Sequence, residues 1–304
     1  MPVFQPAYLK TAAKGQLKEK ALKARKVLSE CLLCPRQCGI DRFSGLTGRC
    51  RTDEKATVSS FHPHFGEEKI LVDKNGSGTI FFTHCNLMCN FCQNFDISHN
   101  GWGNGVSDDQ LADIMLSLQN AGCHNINFVS LSHVVPQILA TLVIAVEKGL
   151  SVSLVYNTGG YDAVDTLQRL EGVFDIYMPD FKLWDSEVAH ATRNAPDYPD
   201  ITRKALVEMH RQVGDLTMDG SGIAVSGLLI RHLVLSGGRA GTSDVMGFIA
   251  KNLSRNSYVN VMAQYRPVGN AADIEALSRP ISRQEFETAL LDAINTGLTR
   301  LDGS

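Results

Sequence analysis

"GTIFFTHCNLMCNFCQNF" (78–95) passes from an apolar, β-branched and aromatic stretch directly into a loop with three cysteines. The first seven residues read as a strand. Cys85, Cys89 and Cys92 follow in the spacing C-x3-C-x2-C. A structural zinc site takes four ligands and closes its coordination sphere. Two cysteines would point to a disulfide or a redox pair. Three thiolates are soft ligands that suit an iron–sulfur cluster. A cubane [4Fe–4S] cluster offers one iron per outside ligand, so three cysteines leave one iron open. An open metal position is where a substrate or cofactor chelates.

Beyond this loop the chain alternates regularly. Helical periodicity is expected at 108–122, 135–149, 163–172, 201–214, 242–253 and 282–297. Strands are expected at 125–131, 151–158, 173–181, 227–235 and 258–265, in addition to 78–84. About six βα units in a row predict an α/β fold: a partial (βα)6 TIM-like barrel with parallel strands. Chemistry in such barrels sits at the C-terminal ends of the strands, where the three-cysteine loop falls.

The chain has 304 residues, eight cysteines and a formal net charge of −3. No field of one sign argues for nucleic acid or a membrane surface as partner. The longest apolar run, "ILATLVIAV" (138–146), is too short to span a bilayer. No N-terminal apolar segment looks like a secretory signal. The basic start, residues 10–30, reads as a solvated amphipathic helix with Leu17, Ala21, Ala24 and Leu28 on one face. These features predict a reducing cytoplasm, where clustered cysteines bind metal or do chemistry.

Four more cysteines form an earlier group, Cys31, Cys34, Cys38 and Cys50, in C-x2-C-x3-C-x11-C spacing. Four thiolates close a tetrahedral site. Structural zinc and a second iron–sulfur cluster both fit, and the sequence leaves the two open. Arg36, Arg42, Arg49 and Arg51 interleave with these cysteines and are placed to balance thiolate charge. A compositional change at 51–75 divides the chain into 1–60, an N-terminal helix and cysteine module, and 61–304, the barrel. Cys123 stands alone and reads as a small core residue. "HNGWGNGVS" (99–107) reads as a flexible loop, and "SGGRAG" (236–241) as a βα turn.

The C-x3-C-x-aromatic-C loop after a first strand, with Phe91 as the aromatic residue, resembles the radical S-adenosylmethionine superfamily. Further stretches, "HFGEE" (64–68), "YNTGGYD" (156–162), "DIYMPDFK" (175–182) and "RHLVLSGG" (231–238), look like the branch related to pyruvate formate-lyase activating enzymes. The resemblance covers nearly the whole chain from about residue 60. It implies a [4Fe–4S] cluster on Cys85, Cys89 and Cys92, with S-adenosylmethionine at the open iron. It implies reductive cleavage of that cofactor to methionine and a 5′-deoxyadenosyl radical, which abstracts hydrogen from a substrate. It also implies anaerobic operation, a one-electron donor such as ferredoxin or flavodoxin, and a glycyl-radical enzyme among the candidate protein substrates.

Cofactor contacts carry over to Asn157, Thr158, Asp180, Lys182 and Arg231. Lys182 and Arg231 suit a carboxylate, and Asp180 can accept from ribose hydroxyls. An ion pair at the barrel rim is the plainer reading of Asp180 and Lys182. His232 is expected on the opposite strand face from Arg231. The paired glycines of "YNTGGY" are expected to let the backbone approach a ligand. Relatives carry an acidic residue at the place of Asn157, a Gly-Gly-Glu turn where this chain has Ser130, Ser132 and His133, and often a glycine in place of His84. Two other readings compete: a zinc-stabilised scaffold, with His84 or His99 completing the loop site, and a two-cluster electron-transfer protein.

Overall fold

The computed structural model describes residues 4–274 and 277–302. Helices α1 (Ala7–Ala13) and α2 (Gln16–Lys26) open the chain. They split the single amphipathic helix expected there, because Gly15 takes a left-handed conformation (φ 73°) between them. Strand β1 (Ala56–His64), helix α3 (Lys69–Val72) and β2 (Ser77–Phe82) precede the three-cysteine loop. Helix α4 (Phe95–Ser98) and β3 (Asn104–Val106) follow it. A regular alternation then runs α5 (Asp108–Asn120), β4 (Asn125–Val129), α6 (Val135–Glu147), β5 (Ser153–Thr158), α7 (Val164–Arg169) and β6 (Ile176–Pro179). It continues through α8 (Ser186–Arg193), α9 (Tyr198–Val213), β7 (Thr217–Met218), β8 (Ala224–Leu233), α10 (Thr242–Asn252), β9 (Tyr258–Met262), α11 (Arg283–Asn295) and β10 (Arg300–Asp302).

The sheet runs β10-β9-β8-β6-β5-β4-β2-β1-β3. From β10 to β2 every neighbour is parallel; β1 pairs antiparallel with both β2 and β3. The six expected strands are therefore adjacent and parallel, and the sheet curves without closing. Four strands escaped the sequence pattern, among them the two-residue β7 that pairs with β8. β1 lies inside the compositional change at 51–75 and crosses residue 60. β3 lies in "HNGWGNGVS", so that loop is a sheet edge at its end. β10 is only three residues long. The cysteine loop consequently follows the second strand of the chain, the first of the parallel set.

The two faces differ. The outer face is apolar and covered by helices; Ile126, Phe128, Leu154, Tyr156, Leu228, Ile230, Val259 and Val261 join one core with residues of α5, α6 and α10. The N-terminal helices share it through Tyr8, Leu17, Ala21 and Ala24. Tyr8 Oη donates to the Val152 carbonyl at 3.1 Å, and Thr11 Oγ1 donates to the Gly172 carbonyl at 2.6 Å. The inner face is a smaller cluster of Val155, Ile176, Met178 and Leu229, closed below by Leu71 and Val72 of α3. Side chains alternate along strands. The inner positions above these apolar residues are therefore Asn157, Asp180, Arg231 and, on β9, Asn260. Cys123 is buried in the outer core. Among the described residues no helix is long and apolar enough to cross a membrane.

Candidate metal and cofactor site

The three-cysteine loop leaves β2 through two residues in the left-handed region, His84 (φ 63°) and Met88 (φ 50°). Non-glycine residues reach that region at a cost, which explains why a glycine suits the position of His84. Leu87 and Phe91 turn into the core between the cysteines. The Phe91 ring meets Tyr265 edge-on at 6.0 Å, and the Arg193 guanidinium lies 5.0 Å from its centre. The loop backbone is docked on the end of α8: Asn90 N–H donates to the Thr192 carbonyl at 3.0 Å.

Cys89 is buried; Cys85 and Cys92 are partly so. Burial pushes the Cys85 thiol up to about 12, Cys89 adding to the rise, while backbone N–H groups of Met88 and Leu87 oppose it. The Leu87 N–H lies 3.4 Å from the Cys85 sulfur. Burial and then Cys89 also raise Cys92, against hydrogen bonds from Ser98 and Asn94 and the charge of Lys182. The three thiols therefore lie within electrostatic reach of one another, and Lys182, just past β6, reaches Cys92. Among the described residues, no three His, Cys, Asp or Glu side chains converge as the ligands of a single ion do.

Beside the loop, the inner face holds a polar group. Arg231 Nε donates to Asp180 Oδ1 at 2.8 Å and its Nη2 to Asn157 Oδ1 at 2.8 Å. Lys182 Nζ donates to the other Asp180 oxygen. The Asp180–Lys182 ion pair expected at the rim is present and includes Arg231. Burial would raise Asp180, but Arg231 and then Lys182 outweigh it and hold the carboxyl below its ordinary range. Tyr198 fixes the strand end, its hydroxyl donating to the Asp180 carbonyl at 2.9 Å and accepting from Lys182 N–H at 3.0 Å. His232 points to the other face, bonded to the Phe181 carbonyl and Thr242 Oγ1.

Thr158 is turned away from this group. Its hydroxyl donates to buried Asp162 at 2.7 Å, beside Tyr156 Oη (2.8 Å) and Ser132 Oγ (2.6 Å). Ser132 thus braces Asp162, and His133 Nε2 bonds the Thr83 carbonyl at 2.9 Å. The glycine pair also serves packing: a Cβ on Gly159 would meet Leu87 at 2.8 Å, and one on Gly160 the Asp180 carbonyl at 2.4 Å. These glycines admit the cysteine loop and β6.

Four inner residues were not singled out from sequence. Glu67 lies 3.4 Å from Arg231 Nη1. Glu68 Oε1 accepts from Asn260 Nδ2 at 3.1 Å. Both glutamates come from "HFGEE", whose position before α3 brings carboxylates to a face that lacks a Gly-Gly-Glu turn. Burial raises Glu67 to about 7, with Arg231 opposing and Glu68 adding to the rise. Asn127 is buried with neither side-chain atom partnered; Glu68 Oε2 and Asn260 Oδ1 are likewise buried and unpartnered. The signal was polar residues at alternate positions of otherwise apolar strands, "NINFV" and "YVNVM". Buried polar groups are normally paired, so orphaned atoms on an inner face mark where a polar ligand fits.

The fold and site define an α/β protein with an open, mostly parallel sheet and buried thiols at the C-terminal strand ends. No family model matches the chain. Over 275 residues it is 30% identical to "Uncharacterized protein MJ0674" of Methanocaldococcus jannaschii, covering 88% of this chain and 75% of that protein; the chain belongs to its family. Among solved structures, QueE from Escherichia coli is similar with a TM-score of 0.45 and 10% identity, over 86% of this chain and 96% of that one.

Proposed function

We propose that this protein is a radical S-adenosylmethionine enzyme of the activating-enzyme type. The observation that carries the reading is the three-cysteine loop at the C-terminal end of β2, its thiols within electrostatic reach of one another, beside an inner face with orphaned polar atoms. Three soft thiolates on one short loop, with no fourth cysteine beside them, are a donor set that fits a [4Fe–4S] cluster with one iron left open. The Leu87 N–H donates to the Cys85 sulfur, the contact that tunes such a group. When bound, cluster and cofactor supply one-electron cleavage of the sulfonium to methionine and a 5′-deoxyadenosyl radical.

The chain's own residues hold the cofactor. Arg231 and Lys182 provide cationic donors for its carboxylate, and Asp180 provides acceptors for ribose hydroxyls. Asn157 positions Arg231, and Thr158 positions the turn through Asp162. Glu67 and Glu68 supply carboxylates for an ammonium. A glycine of a partner protein is the proposed hydrogen donor. A ferredoxin or flavodoxin would supply the electron.

The test is anaerobic: reconstituted protein receives dithionite and S-adenosylmethionine, and 5′-deoxyadenosine is followed by chromatography with iron and sulfide counted. The reading expects product in proportion to loop iron. Full loading without product would favour electron transfer instead, and zinc without sulfide a scaffold.

A further inference from the structure

We propose that the four-cysteine module clamps the three-cysteine loop, with Arg36 and, through Arg42, His133 as positioning residues that fix the backbone on either side of Cys85. The inference rests on the function proposed above, which makes Cys85 a cluster ligand.

The module is built around its thiols. Cys31, Cys34, Cys38 and Cys50 line one small pocket with Leu33, Ile40 and Arg42. Backbone bonds close the first part of it: Cys31 N–H donates to the Ile40 carbonyl at 2.8 Å, and Gly39 N–H to the Cys31 carbonyl at 3.1 Å. Pro35 and Arg36 form the corner of a tight turn, sealed by Gln37 N–H to the Cys34 carbonyl at 3.0 Å. Thr166 Oγ1 donates to the Leu33 carbonyl at 2.7 Å and ties this segment to α7. The turn therefore presents Arg36 from a fixed place on the barrel.

Arg36 directs its whole fork at backbone carbonyls. Its Nε donates to Asn86 at 3.0 Å, its Nη1 to Asn194 at 2.6 Å and its Nη2 to Arg193 at 3.2 Å. The guanidinium also lies 5.2 Å from the centre of the Tyr161 ring. A planar fork can join three carbonyls of two segments, which an ammonium cannot do in a fixed geometry. Asn86 is held a second time by its side chain, whose Nδ2 donates to the Tyr161 carbonyl at 2.8 Å. On the other side of Cys85, Arg42 Nη1 donates to the His133 carbonyl at 2.9 Å. A carbonyl only accepts, so His133 Nε2 donates to that of Thr83 at 2.9 Å. Cys85 thus lies between two residues tied to the module. His84, between the same braces, takes φ 63°. Strained backbone persists where its surroundings over-determine it. The far half of the loop is held elsewhere, through Asn90 on the end of α8. The module governs the Cys85 end and α8 the Cys92 end. A misplacement of about 1 Å can cost a reaction about a hundredfold, so the clamp bears on the chemistry of the loop.

The test is native-state hydrogen exchange, read by mass spectrometry on the full-length protein handled anaerobically. In Arg36→Met the amides of 83–88 should exchange at least about tenfold faster, those of 89–94 should respond less, and those of β5 should stay as in wild type. An unchanged 83–88 segment, or an acceleration shared equally by 89–94 or β5, overturns the clamp. His133→Leu should speed the same segment from the other side, and a rate equal to wild type there overturns the second brace. Reconstituted Arg36→Met should also form 5′-deoxyadenosine at least about tenfold more slowly per loop iron, counted against Cys92→Ala. An unchanged rate per loop iron overturns the positioning of Cys85. Absence of product in wild type with a filled loop would instead count against the function proposed above, leaving the exchange result standing.

Discussion

The two cysteine regions bury the same donor atom among different charges. In the pocket, Arg42 touches Cys31, and Arg36 and Arg49 flank the remaining thiols. On the loop, Lys182 reaches Cys92, and that lysine is already paired with Asp180. Four thiols with their own arginines make a closed site. Three thiols short of cations, facing a polar inner wall, make a site with charge and coordination left for an incoming cationic ligand such as a sulfonium. Ligand count and local charge both favour the proposed reading, in which the loop is the region that does chemistry.

The largest expected effect comes from Cys92→Ala. Formation of 5′-deoxyadenosine should drop by about a thousandfold or more, and roughly the loop's share of iron should vanish. Metal analysis that finds the pocket emptied as well would break the distinction between the regions.

Charge removal should sharpen it. Arg231→Met leaves Glu67 without its cation and Asp180 with Lys182 alone in a buried site, and denaturant unfolding should report a loss of about 3–5 kcal/mol. Arg42→Met removes hydrogen bonds to the carbonyls of Asp53 (2.8 Å) and His133 (2.9 Å) but strands no carboxylate. Its cost should be smaller, about 1–3 kcal/mol. Reversal of that order would mean the inner-face carboxylates are not held by Arg231.

Next is a pH effect at Glu67. Its folded pKa is raised, so the fold favours the neutral carboxyl. That contribution is complete below about 4.5 and lost as pH rises through about 7. Stability of wild type relative to Glu67→Gln should therefore decline across that window in denaturant titrations. A flat difference would show that Glu67 is not desolvated beside Arg231.

The smallest effect concerns His84. Glycine removes the cost of φ 63°, so His84→Gly should leave stability within about 1 kcal/mol of wild type, on the favourable side. A clear loss in thermal unfolding would mean the imidazole's contact with Gly101 matters more than backbone strain.

The parallel strands and the loop were legible because each is a local pattern: an apolar run, a turn and fixed cysteine spacing. β1 was missed because "ATVSSFHPH" is largely polar, and β3 covers only its first three residues, leaving the rest of it exposed or half-buried. The roles of Thr158 and Ser132 could not be read locally, since Asp162 gathers both from separate loops. Glu67, Asn127 and Asn260 matter only once β1, β4 and β9 share a sheet. The Arg36–Asn86 contact spans 50 residues of chain, and no spacing rule encodes it.

The most direct test of the contrast is electron paramagnetic resonance of the reduced wild-type protein during titration with S-adenosylmethionine. The account predicts a signal that is lost in Cys92→Ala and that shifts on addition of the cofactor. A signal that ignores the cofactor, or a shift that survives in Cys92→Ala, would contradict it.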